Sequence, residues 1–345
     1  MTNDNLQILT IETTCDETAA AVVNDRLEVL GAVVASQDKL HERFQGVVPE
    51  IAARAHVERI LPVIDETLRR AGCTLQELDA IAVANMPGLA GSLLVGLVAA
   101  KTLCLALNKP LVAVNHLYAH IYACKIASGR EIFPCVGLIV SGGHSSIYHC
   151  MNAFEFRQLG GTIDDAAGEA FDKVASMLGL PYPGGPAISR VAQSGDPQAF
   201  RFPRAFLRDD ERLDFSFSGL KTAVRYQIAG PGRPDFRAVE LAPQTIADLA
   251  ASFQEAVCDC LVGKTMLAAH KTGLRTVCVG GGVAANGRLR ARLQDEAQRA
   301  GLELLIAPLA LCTDNAVMGA IAIERLRAGL VENLDLDVFP GMVRL

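Results

Sequence analysis

Hydrophobic residues in the first part of the chain occur in short runs and then at helical spacing. Three closely spaced runs predict strands at residues 8–13, 19–24 and 27–35. A helix is predicted from about Pro49 to Gly72, because Ile60, Leu61, Ile64 and Leu68 recur on one face. A strand at 80–84, a helix at 91–107 and a strand at 111–114 follow. The predicted order is β-β-β-α-β-α-β.

The same order of patterns returns in the second part of the chain. Strands are predicted at 136–141, 145–151, 154–160, 276–281 and 303–308, and helices at about 165–179, 245–271, 287–300 and 313–328. Residues 181–243, rich in Pro, Gly and Arg, are typical of an insertion within this second copy. The sequence therefore predicts one structural unit written twice.

Two copies of one strand–helix order predict an α/β fold with duplicated ribonuclease-H-like lobes of the actin, Hsp70 and sugar-kinase (ASKHA) type. Strand–helix alternation alone also fits other α/β folds. The first lobe is assigned to residues 1–117, completed by the C-terminal helix and tail at about 318–345. The second lobe is assigned to residues 118–317, with the insertion at about 181–243.

Polar turns occupy matching places in the two copies. "ETTCDET" lies between the first two strands of the first copy, and "SGGHSS" lies between those of the second. Such turns bring backbone N–H groups and hydroxyls onto phosphate oxygens, although a single turn is as well explained by hairpin geometry. Their equivalent positions favour a site in which the two turns face each other across a cleft. The "GGG" before a helix that opens near Asn286 is expected where this architecture holds adenosine.

Composition narrows the class of protein. Of 345 residues, 50% are hydrophobic and 20% charged, which predicts a large buried core. The formal charge of −6 argues against bulk coating of nucleic acid but leaves room for a local basic surface. Ten cysteines without a C-x-x-C pair and an N-terminus without a leader pattern predict a reduced, cytoplasmic protein. Residues 80–100 carry no charge over a bilayer-spanning length, but Pro87 and three glycines favour a soluble protein with no membrane partner.

Two histidines four residues apart follow the strand at 111–114. On a helix His116 and His120 share a face and can share a metal ion, but the spacing also fits unrelated surface or core histidines. Metalloproteases of the H-E-x-x-H type carry glutamate where this chain has Leu117, so peptide hydrolysis is the least favoured interpretation. Asp314, where the last helix is predicted to begin, is a candidate third ligand, and a plain N-cap is its competing interpretation.

Eight blocks of sequence together resemble the TsaD family, whose members transfer a threonylcarbamoyl group in tRNA t6A synthesis and were formerly called Gcp or O-sialoglycoprotein endopeptidase. The blocks are "IETTCDETAAA", "GVVPEIAARAHVERI", "NHLYAH", "IVSGGHSSIY", "DDAAGEAFDKVASMLGLPYPGGP", "FSFSGLKTAV", "GGVAANGRLR" and "CTDNAVM". They occur in family order over nearly the whole chain. The resemblance implies the two-lobed actin-like fold.

The resemblance also implies a divalent metal ion held by His116, His120 and Asp314, with the Ser141 hydroxyl as a candidate further ligand. Fe(II) is expected in preference to Zn for this donor set, and Mg with a nucleotide is a further cofactor expectation. The threonylcarbamoyl-adenylate would be bound by residues of the family motifs, which are Ile139, Val140, Ser141, Gly142, Gly143, Asp172, Gly185, Ser189 and Asn286.

Three positions depart from the family pattern. Ser189 stands where several relatives carry aspartate, which puts its role as a ligand in question. Tyr118 and Ala119 change the surroundings of the histidine pair, and Thr14 replaces a usual serine while it keeps the hydroxyl.

The implied reaction moves the threonylcarbamoyl group from threonylcarbamoyl-AMP to N6 of adenosine 37 in tRNAs that read ANN codons, which forms t6A and releases AMP. The implied partners are tRNA, TsaB and TsaE, with TsaC as the supplier of the adenylate. An actin-like ATPase or small-molecule kinase is one alternative, and a non-catalytic scaffold of the t6A machinery is another.

The residues themselves suggest where the proton of the attacking amine goes. Asp16 and Glu17 are the candidate acceptors, because one pKa of a carboxylate pair in a closed cleft is raised into a useful range. Solvated turn acids are the alternative. His144 is a candidate for assistance.

A candidate RNA surface lies at residues 201–225, where arginines and lysines alternate with phenylalanines. Four acids interrupt it, so a salt network that bridges the lobes is an equal alternative. Lys173 and Lys221 are candidates for phosphate contacts.

Overall fold

The computed structural model describes residues 6–44, 46–230 and 240–341. The chain forms two compact units: unit 1 comprises residues 1–131 and 313–345, and unit 2 comprises residues 132–312. The boundaries expected from the sequence, after residues 117 and 317, lie elsewhere. The difference arises because the whole helix that begins at His116 packs in unit 1, against the segment Val317–Ile321.

Unit 1 contains a mixed five-stranded sheet in the order β3-β2-β1-β4-β5. Its elements up to residue 131 are β1 (Gln7–Glu12), β2 (Glu17–Asn24), β3 (Val29–Ser36), α1 (Asp38–His41), α2 (Pro49–Ala71), β4 (Ala80–Met86), α3 (Ala90–Leu107), β5 (Leu111–Asn115) and α4 (His116–Ser128). β1 pairs antiparallel with β2 and parallel with β4, and β4 pairs parallel with β5. The central strands are buried along nearly their whole length, which explains their continuous apolar runs.

Helix α2 shows how the apolar spacing builds the core of unit 1. Ile60, Val63 and Ile64 are buried against Leu9 and other apolar residues of the sheet. The helix ends at Gly72, which has φ +67° and whose N–H bonds the carbonyls of the last turn. The predicted start at Pro49 and stop at Gly72 are both confirmed.

Unit 2 contains a second five-stranded sheet in the order β10-β9-β6-β7-β8. Its elements are β6 (Cys135–Val140), β7 (Ser145–Cys150), β8 (Phe156–Gly161), α5 (Ala167–Met177), α6 (Gly184–Val191), α7 (Ser218–Ala229), α8 (Pro243–Thr272), β9 (Thr276–Gly280), α9 (Gly287–Ala300), β10 (Glu303–Ile306) and α10 (Leu309–Cys312). β6 pairs antiparallel with β7 and parallel with β9, as β1 does with β2 and β4. The predicted duplication is therefore present in the pairing of the strands.

The predicted insertion at 181–243 carries all of α6 and all of α7, while its residues 231–239 lie outside the described residues. The chain then returns to unit 1 with a 3₁₀ turn (Val317–Ile321) and α11 (Ala322–Arg327). The predicted continuous helix at 313–328 is wrong, because residues 313–316 form a bend. The bend lies close to β1: Thr10 donates a hydrogen bond to the Ala316 carbonyl (2.6 Å), and Gly319 packs on Thr10.

The uncharged window at 80–100 is divided between β4 and α3, as the glycines and proline predicted. Helix α3 is long and apolar enough by composition to cross a membrane, but a core helix passes the same test, and one such helix is weak evidence. Its inner face packs on β4 and α2. Its outer face leaves Leu94, Val98 and Leu105 exposed.

Candidate active site

Helix α4 carries the two histidines and begins directly after β5. Asn115 caps it, since the side-chain oxygen accepts the backbone N–H groups of Leu117 (2.9 Å) and Tyr118 (3.3 Å). The cap fixes His116 at the first helical position and places His120 one turn further on the same face. The two buried rings pack edge to face with their centroids 4.6 Å apart.

Asp314 lies in the bend before the 3₁₀ turn and points at both imidazoles. Its Oδ1 atom is 3.4 Å from Nε2 of His116 and 3.3 Å from Nε2 of His120. The N-cap interpretation of Asp314 is wrong, because the neighbouring Asn315 accepts the N–H of Met318 (3.2 Å) in that role. The structure thus brings together two imidazoles and one carboxylate, with their ligand atoms within 4.8 Å of one another.

Glu12, at the end of β1, orients the first imidazole and was missed in the sequence. Its Oε2 atom is 3.0 Å from Nδ1 of His116, and its Oε1 atom accepts the N–H of Thr14 (2.7 Å). A carboxylate beside Nδ1 holds a proton on that nitrogen, so Nε2, which faces Asp314, is the nitrogen that would give up its proton to a metal ion. The only signal in the sequence was an acid directly before the polar turn.

Burial and charge act differently on the two histidines. Burial alone lowers the pKa of His116, but the carboxylates of Glu12 and Asp314 outweigh it and raise that pKa well above its usual value. Burial lowers the pKa of His120, so this imidazole is neutral. Neither ring nitrogen of His120 has a hydrogen-bond partner with suitable geometry among the described residues. A buried neutral imidazole with two unsatisfied nitrogens suits a ligand that arrives from solution.

The first polar turn groups three carboxyls in unit 1. Asp16 is buried, Glu17 is partly buried and Asp38 is exposed, and their oxygen atoms lie within 4.8 Å of one another. Burial, followed by the negative charges of Asp314 and Asp16, raises the pKa of Glu17 to about 10. Burial also raises the pKa of Asp16 above its ordinary value, although hydrogen bonds from Cys15 and from Glu17 each lower it. Glu17 is therefore the protonated partner of the pair and Asp16 is the more easily ionised one.

A buried histidine of α2 holds this turn in place. His56 donates from Nε2 to the Cys15 carbonyl (3.0 Å), and its Nδ1 atom accepts from the Thr18 hydroxyl (2.8 Å). Ser92 of α3 donates to the same carbonyl (3.2 Å). These contacts give a structural reason for the histidine in the block "GVVPEIAARAHVERI", which was not singled out in the sequence.

The second polar turn, Ser141 to His144, joins β6 to β7 in unit 2. The Ser141 N–H donates to the His144 carbonyl (2.8 Å), and the His144 N–H donates to the Ser141 hydroxyl (3.2 Å). Gly142 and Gly143 are exposed, with open space where a side chain would begin. The turn is thus closed by Ser141 and His144 and presents the backbone of its two glycines.

Gly168 of α5 packs closely against the Ser141–His144 turn. A Cβ atom at Gly168 would lie 2.6 Å from the Ser141 carbonyl oxygen and 2.8 Å from Gly142 Cα, so the turn would have to move. Gly168→Ala is expected to weaken adenylate binding at least about tenfold. The check is the dissociation constant of AMP. Gly219→Ala, at a helical glycine with open space, is the matched control, and equal loss in both variants would contradict the assignment.

Two other predicted substrate residues are strand residues without accessible side chains. Ile139 and Val140 are fully buried in β6, so only their backbone is available to a ligand. Two glycines of the "GGG", which was expected beside adenosine, have different surroundings. Gly281, with φ +96°, packs on the backbone of Val140, where a Cβ would lie 2.3 Å from the carbonyl oxygen, whereas Gly282 faces open space.

Asp172 holds the beginning of α6. Its Oδ1 atom accepts the N–H of Gly184 (2.7 Å), next to Gly185, which has open space where a side chain would begin. Lys173 and Lys221, predicted as phosphate contacts, each form a 2.7 Å ion pair with Asp165. The ammonium groups of both lysines therefore bind a carboxylate of the protein itself.

Asn286, Ser189 and Gln254 form a polar cluster at the start of α9. The Asn286 amide donates to the Ser189 hydroxyl (2.8 Å) and to Gln254 Oε1 (2.8 Å), and Ser189 donates to Gln254 (3.0 Å). Asn286 also caps α9 by accepting the N–H of Leu289 (3.0 Å). Gln254 was missed, because it lies within a long helical pattern with no feature of its own.

A family model and several relatives match this chain over most of its length. A family model described as TsaD, tRNA N6-adenosine threonylcarbamoyltransferase, matches residues 28–321. The enzyme of that name from Rhodopirellula baltica is 56% identical over 348 residues, which cover 98% of this chain and 97% of that protein. Its counterpart from Bacillus cereus is 49% identical over 343 residues and covers 98% of this chain and 96% of that protein.

Solved structures share the fold at low identity. HypF of T. kodakarensis superposes with a TM-score of 0.60 at 15% identity and covers 94% of this chain and 48% of that chain. Component A of the (R)-2-hydroxyglutaryl-CoA dehydratase of Acidaminococcus fermentans gives 0.52 at 16% identity and covers 92% of this chain and 96% of that chain. Together with the repeated strand order, these likenesses confirm the predicted α/β fold with duplicated ASKHA-type lobes.

Proposed function

The chain belongs to the TsaD family of tRNA N6-adenosine threonylcarbamoyltransferases, and we propose that it transfers the threonylcarbamoyl group from threonylcarbamoyl-AMP to N6 of adenosine 37 in tRNAs that read ANN codons. The products are t6A and AMP. The observation that carries the proposal is the convergence of His116, His120 and Asp314 in unit 1. An actin-like ATPase or kinase needs a nucleotide site, but it does not need two buried imidazoles aimed at one carboxylate.

We assign a divalent metal ion to these three side chains. The donor set supports this, because the Nε2 atoms of His116 and His120 both face Asp314 and the ring nitrogens of His120 are otherwise unsatisfied among the described residues. Two imidazoles and a carboxylate suit Fe(II) and also Zn, with Fe(II) preferred for an open facial arrangement. When bound, the ion would supply positive charge that anchors or polarises the threonylcarbamoyl oxygens.

Glu12→Gln is expected to weaken metal binding about 10- to 100-fold, because the amide no longer fixes the tautomer of His116. Calorimetric titration of the metal-free protein with Zn²⁺ measures this directly. Glu324→Gln is the control, since Glu324 pairs with Lys125 in the same unit. A Glu12→Gln variant that binds Zn²⁺ as tightly as the native protein would remove Glu12 from the assignment.

The adenylate is assigned to unit 2. The backbone of Gly142 and Gly143 is accessible to phosphate or oxyanion oxygens, which supports a role of the Ser141–His144 turn in holding them. The cluster of Asn286, Ser189 and Gln254 offers amide and hydroxyl groups to a nucleoside. In this chain Gln254 thus accompanies the serine that replaces the aspartate of several relatives. Mg²⁺ with the nucleotide stays an expectation from the sequence.

Asp16 is proposed as the proton acceptor. The N6 amine forms a bond to the carbamoyl carbon, the bond from that carbon to the phosphate oxygen breaks, and AMP leaves with the electron pair. The amine proton passes to Asp16, which Glu17 keeps ionised by donating a hydrogen bond. His144 is kept as a candidate for assistance from the second polar turn.

Partner proteins complete the proposal, with TsaB and TsaE as partners and TsaC as the supplier of the adenylate. An exposed apolar face in unit 1 supports the need for a protein partner. It is formed by α2 and α3, which touch where Ala53 meets Gly91, and its exposed members are Val57, Leu61, Leu94, Val98 and Leu105. An apolar face of this kind on a single chain is typical of a protein contact.

Reconstitution tests the proposed reaction. The purified chain with its partners, tRNA, threonine, bicarbonate and ATP should form t6A, and nucleoside analysis of the digested tRNA measures it. AMP release that depends on tRNA separates this reaction from an ATPase or kinase. Nucleotide turnover at the same rate without tRNA, and without t6A, would instead establish the rival function.

A further inference from the structure

A groove on unit 2 combines aromatic rings with two arginines that form no ion pair with the described residues. It has a volume of about 1340 Å³ and is lined by residues 197, 198, 200–204 and 206–209 together with two acids of α8. All of it lies within one compact unit. Because the whole chain carries a formal charge of −6, a tRNA-modifying protein of this composition needs a local surface that attracts phosphates.

The arginines in and beside the groove fall into two sets. Arg204 and Arg292 pair with Asp259 at 3.0 and 2.9 Å, and Arg288 pairs with Glu255 at 2.6 Å. These three arginines and two acids are called the floor: Arg204 and both acids line the groove, whereas Arg288 and Arg292 of α9 lie outside the lining and pair with its acids. Three guanidinium groups share two carboxylates there, so the floor itself keeps a positive charge.

The second set is exposed. Arg201 and Arg208 lie on the rim, and no described residue forms an ion pair with either of them. Asp209, the lining acid that follows Arg208, accepts the N–H of Glu211 (3.0 Å) in a local turn. The lining holds three arginines and three carboxylates, and Arg288 and Arg292, which pair with two of those carboxylates from outside the lining, give the groove and its border a net positive charge.

Aromatic rings accompany the free arginines. Phe200 is half-buried and stacks on the buried ring of Phe202, with centroids 6.1 Å apart and an interplanar angle of 25°. Phe206 has φ +57°, a left-handed conformation that is unusual for a bulky residue, and the guanidinium of Arg212 covers its ring at 4.1 Å. A strained backbone held by its neighbours is typical of a loop shaped for a ligand.

We propose that this groove binds the tRNA substrate, with Arg201 and Arg208 on backbone phosphates and Phe200 against an unstacked base or ribose. The charge of the groove selects a polyanion, and the free aromatic edge favours nucleic acid over an acidic protein segment. The proposal rests on the proposed function only in that tRNA is the substrate. It gives the first part of the predicted RNA surface at 201–225 a definite place, since residues 201–204 and 206–209 line the groove.

The test compares tRNA binding by the full chain over a range of salt concentrations. Arg201→Ala/Arg208→Ala is expected to raise the dissociation constant about tenfold or more and to reduce the slope of log K against log salt by about 1.5. Arg26→Ala/Arg157→Ala removes the same charge from exposed positions outside the groove and should leave both quantities unchanged. Phe200→Leu should weaken binding several-fold and leave the salt slope as it is, because stacking is lost but no charge.

Three results would contradict the proposal that this groove binds tRNA. The first is native affinity and slope in the arginine pair, and the second is equal weakening in the control pair. The third is a defect that appears only when a partner protein is present, which would make the groove a protein contact. If the native chain binds tRNA through the groove but forms no t6A, the proposed tRNA site is kept and the proposed reaction is contradicted.

Discussion

Replacing His120 with leucine is expected to abolish t6A formation without lowering the stability of the metal-free protein. His120 is fully buried, and neither of its ring nitrogens has a suitable hydrogen-bond partner among the described residues. Unsatisfied buried polar groups each cost about 1–3 kcal/mol, so an apolar side chain of similar size removes a cost rather than a bond. Thermal unfolding of the metal-free variant should therefore match or exceed that of the native protein.

The same variant should lose the response to metal. Native protein is expected to melt at a higher temperature when Zn²⁺ is added, because a ligand that binds only the folded state stabilises it, and His120→Leu should show no such rise. Metal analysis after purification gives the stoichiometry independently. A variant that retains one ion per chain, or a metal-free variant that melts several degrees lower, would show that His120 has a packing role.

His56→Leu is the matched control, since it makes the same change at an equally buried histidine of the same unit. Both nitrogens of His56 are satisfied, by the Cys15 carbonyl and the Thr18 hydroxyl. Leucine there would strand both partners and is expected to cost about 1–3 kcal/mol. Opposite effects of one substitution at His56 and His120 would separate a structural histidine from a ligand.

Local patterns predicted most of the fold. The runs that form β1, β2 and β4 are buried on both faces, so their apolar continuity identified them within two or three residues. The last helix was the exception. Its first residues bend because Gly319 and Ala316 lie against Thr10 of β1, and a contact between segments so far apart leaves no periodic trace.

The sequence predicted those parts of the site whose residues lie close together along the chain. The four-residue spacing of His116 and His120 placed them on one face of α4, whereas Asp314 was a candidate ligand with a plain N-cap as its alternative, and only the family resemblance joined it to the pair. Glu12 reaches His116 across 104 positions of sequence, and such a hydrogen bond has no local signature. Gln254 is hidden in the same way, since its partners Ser189 and Asn286 come from other helices.

The acids of the first polar turn should differ in their importance for the reaction. Glu17, whose pKa burial raises to about 10, is protonated at neutral pH and donates to Asp16. Asp16→Asn is expected to lower kcat about 10²- to 10⁴-fold, because the proton acceptor is lost. Glu17→Gln should lower it about tenfold or less, since the amide still donates a hydrogen bond to Asp16. Single-turnover rates of t6A formation measure both, and a larger loss in Glu17→Gln would make Glu17 the base.

Stability against pH gives Glu17 a second, independent check. Its pKa is higher in the folded state than in the unfolded chain, so the folded state retains a proton that the unfolded state loses between about pH 4.5 and pH 10. The stabilisation from this group is complete below the lower value and disappears as the pH rises toward the upper one. Glutamine mimics the protonated form at every pH, so Glu17→Gln should match the native protein near pH 5 and exceed it in stability at pH 8 by at least about 1 kcal/mol.

Glu58→Gln is the control, because it removes the same charge from an exposed position of α2, and it should show no such trend. A difference between Glu17→Gln and native protein that stays constant from pH 5 to pH 9 would mean that Glu17 is ionised in the folded state, and the assignment of Asp16 as the proton acceptor would then lose its basis.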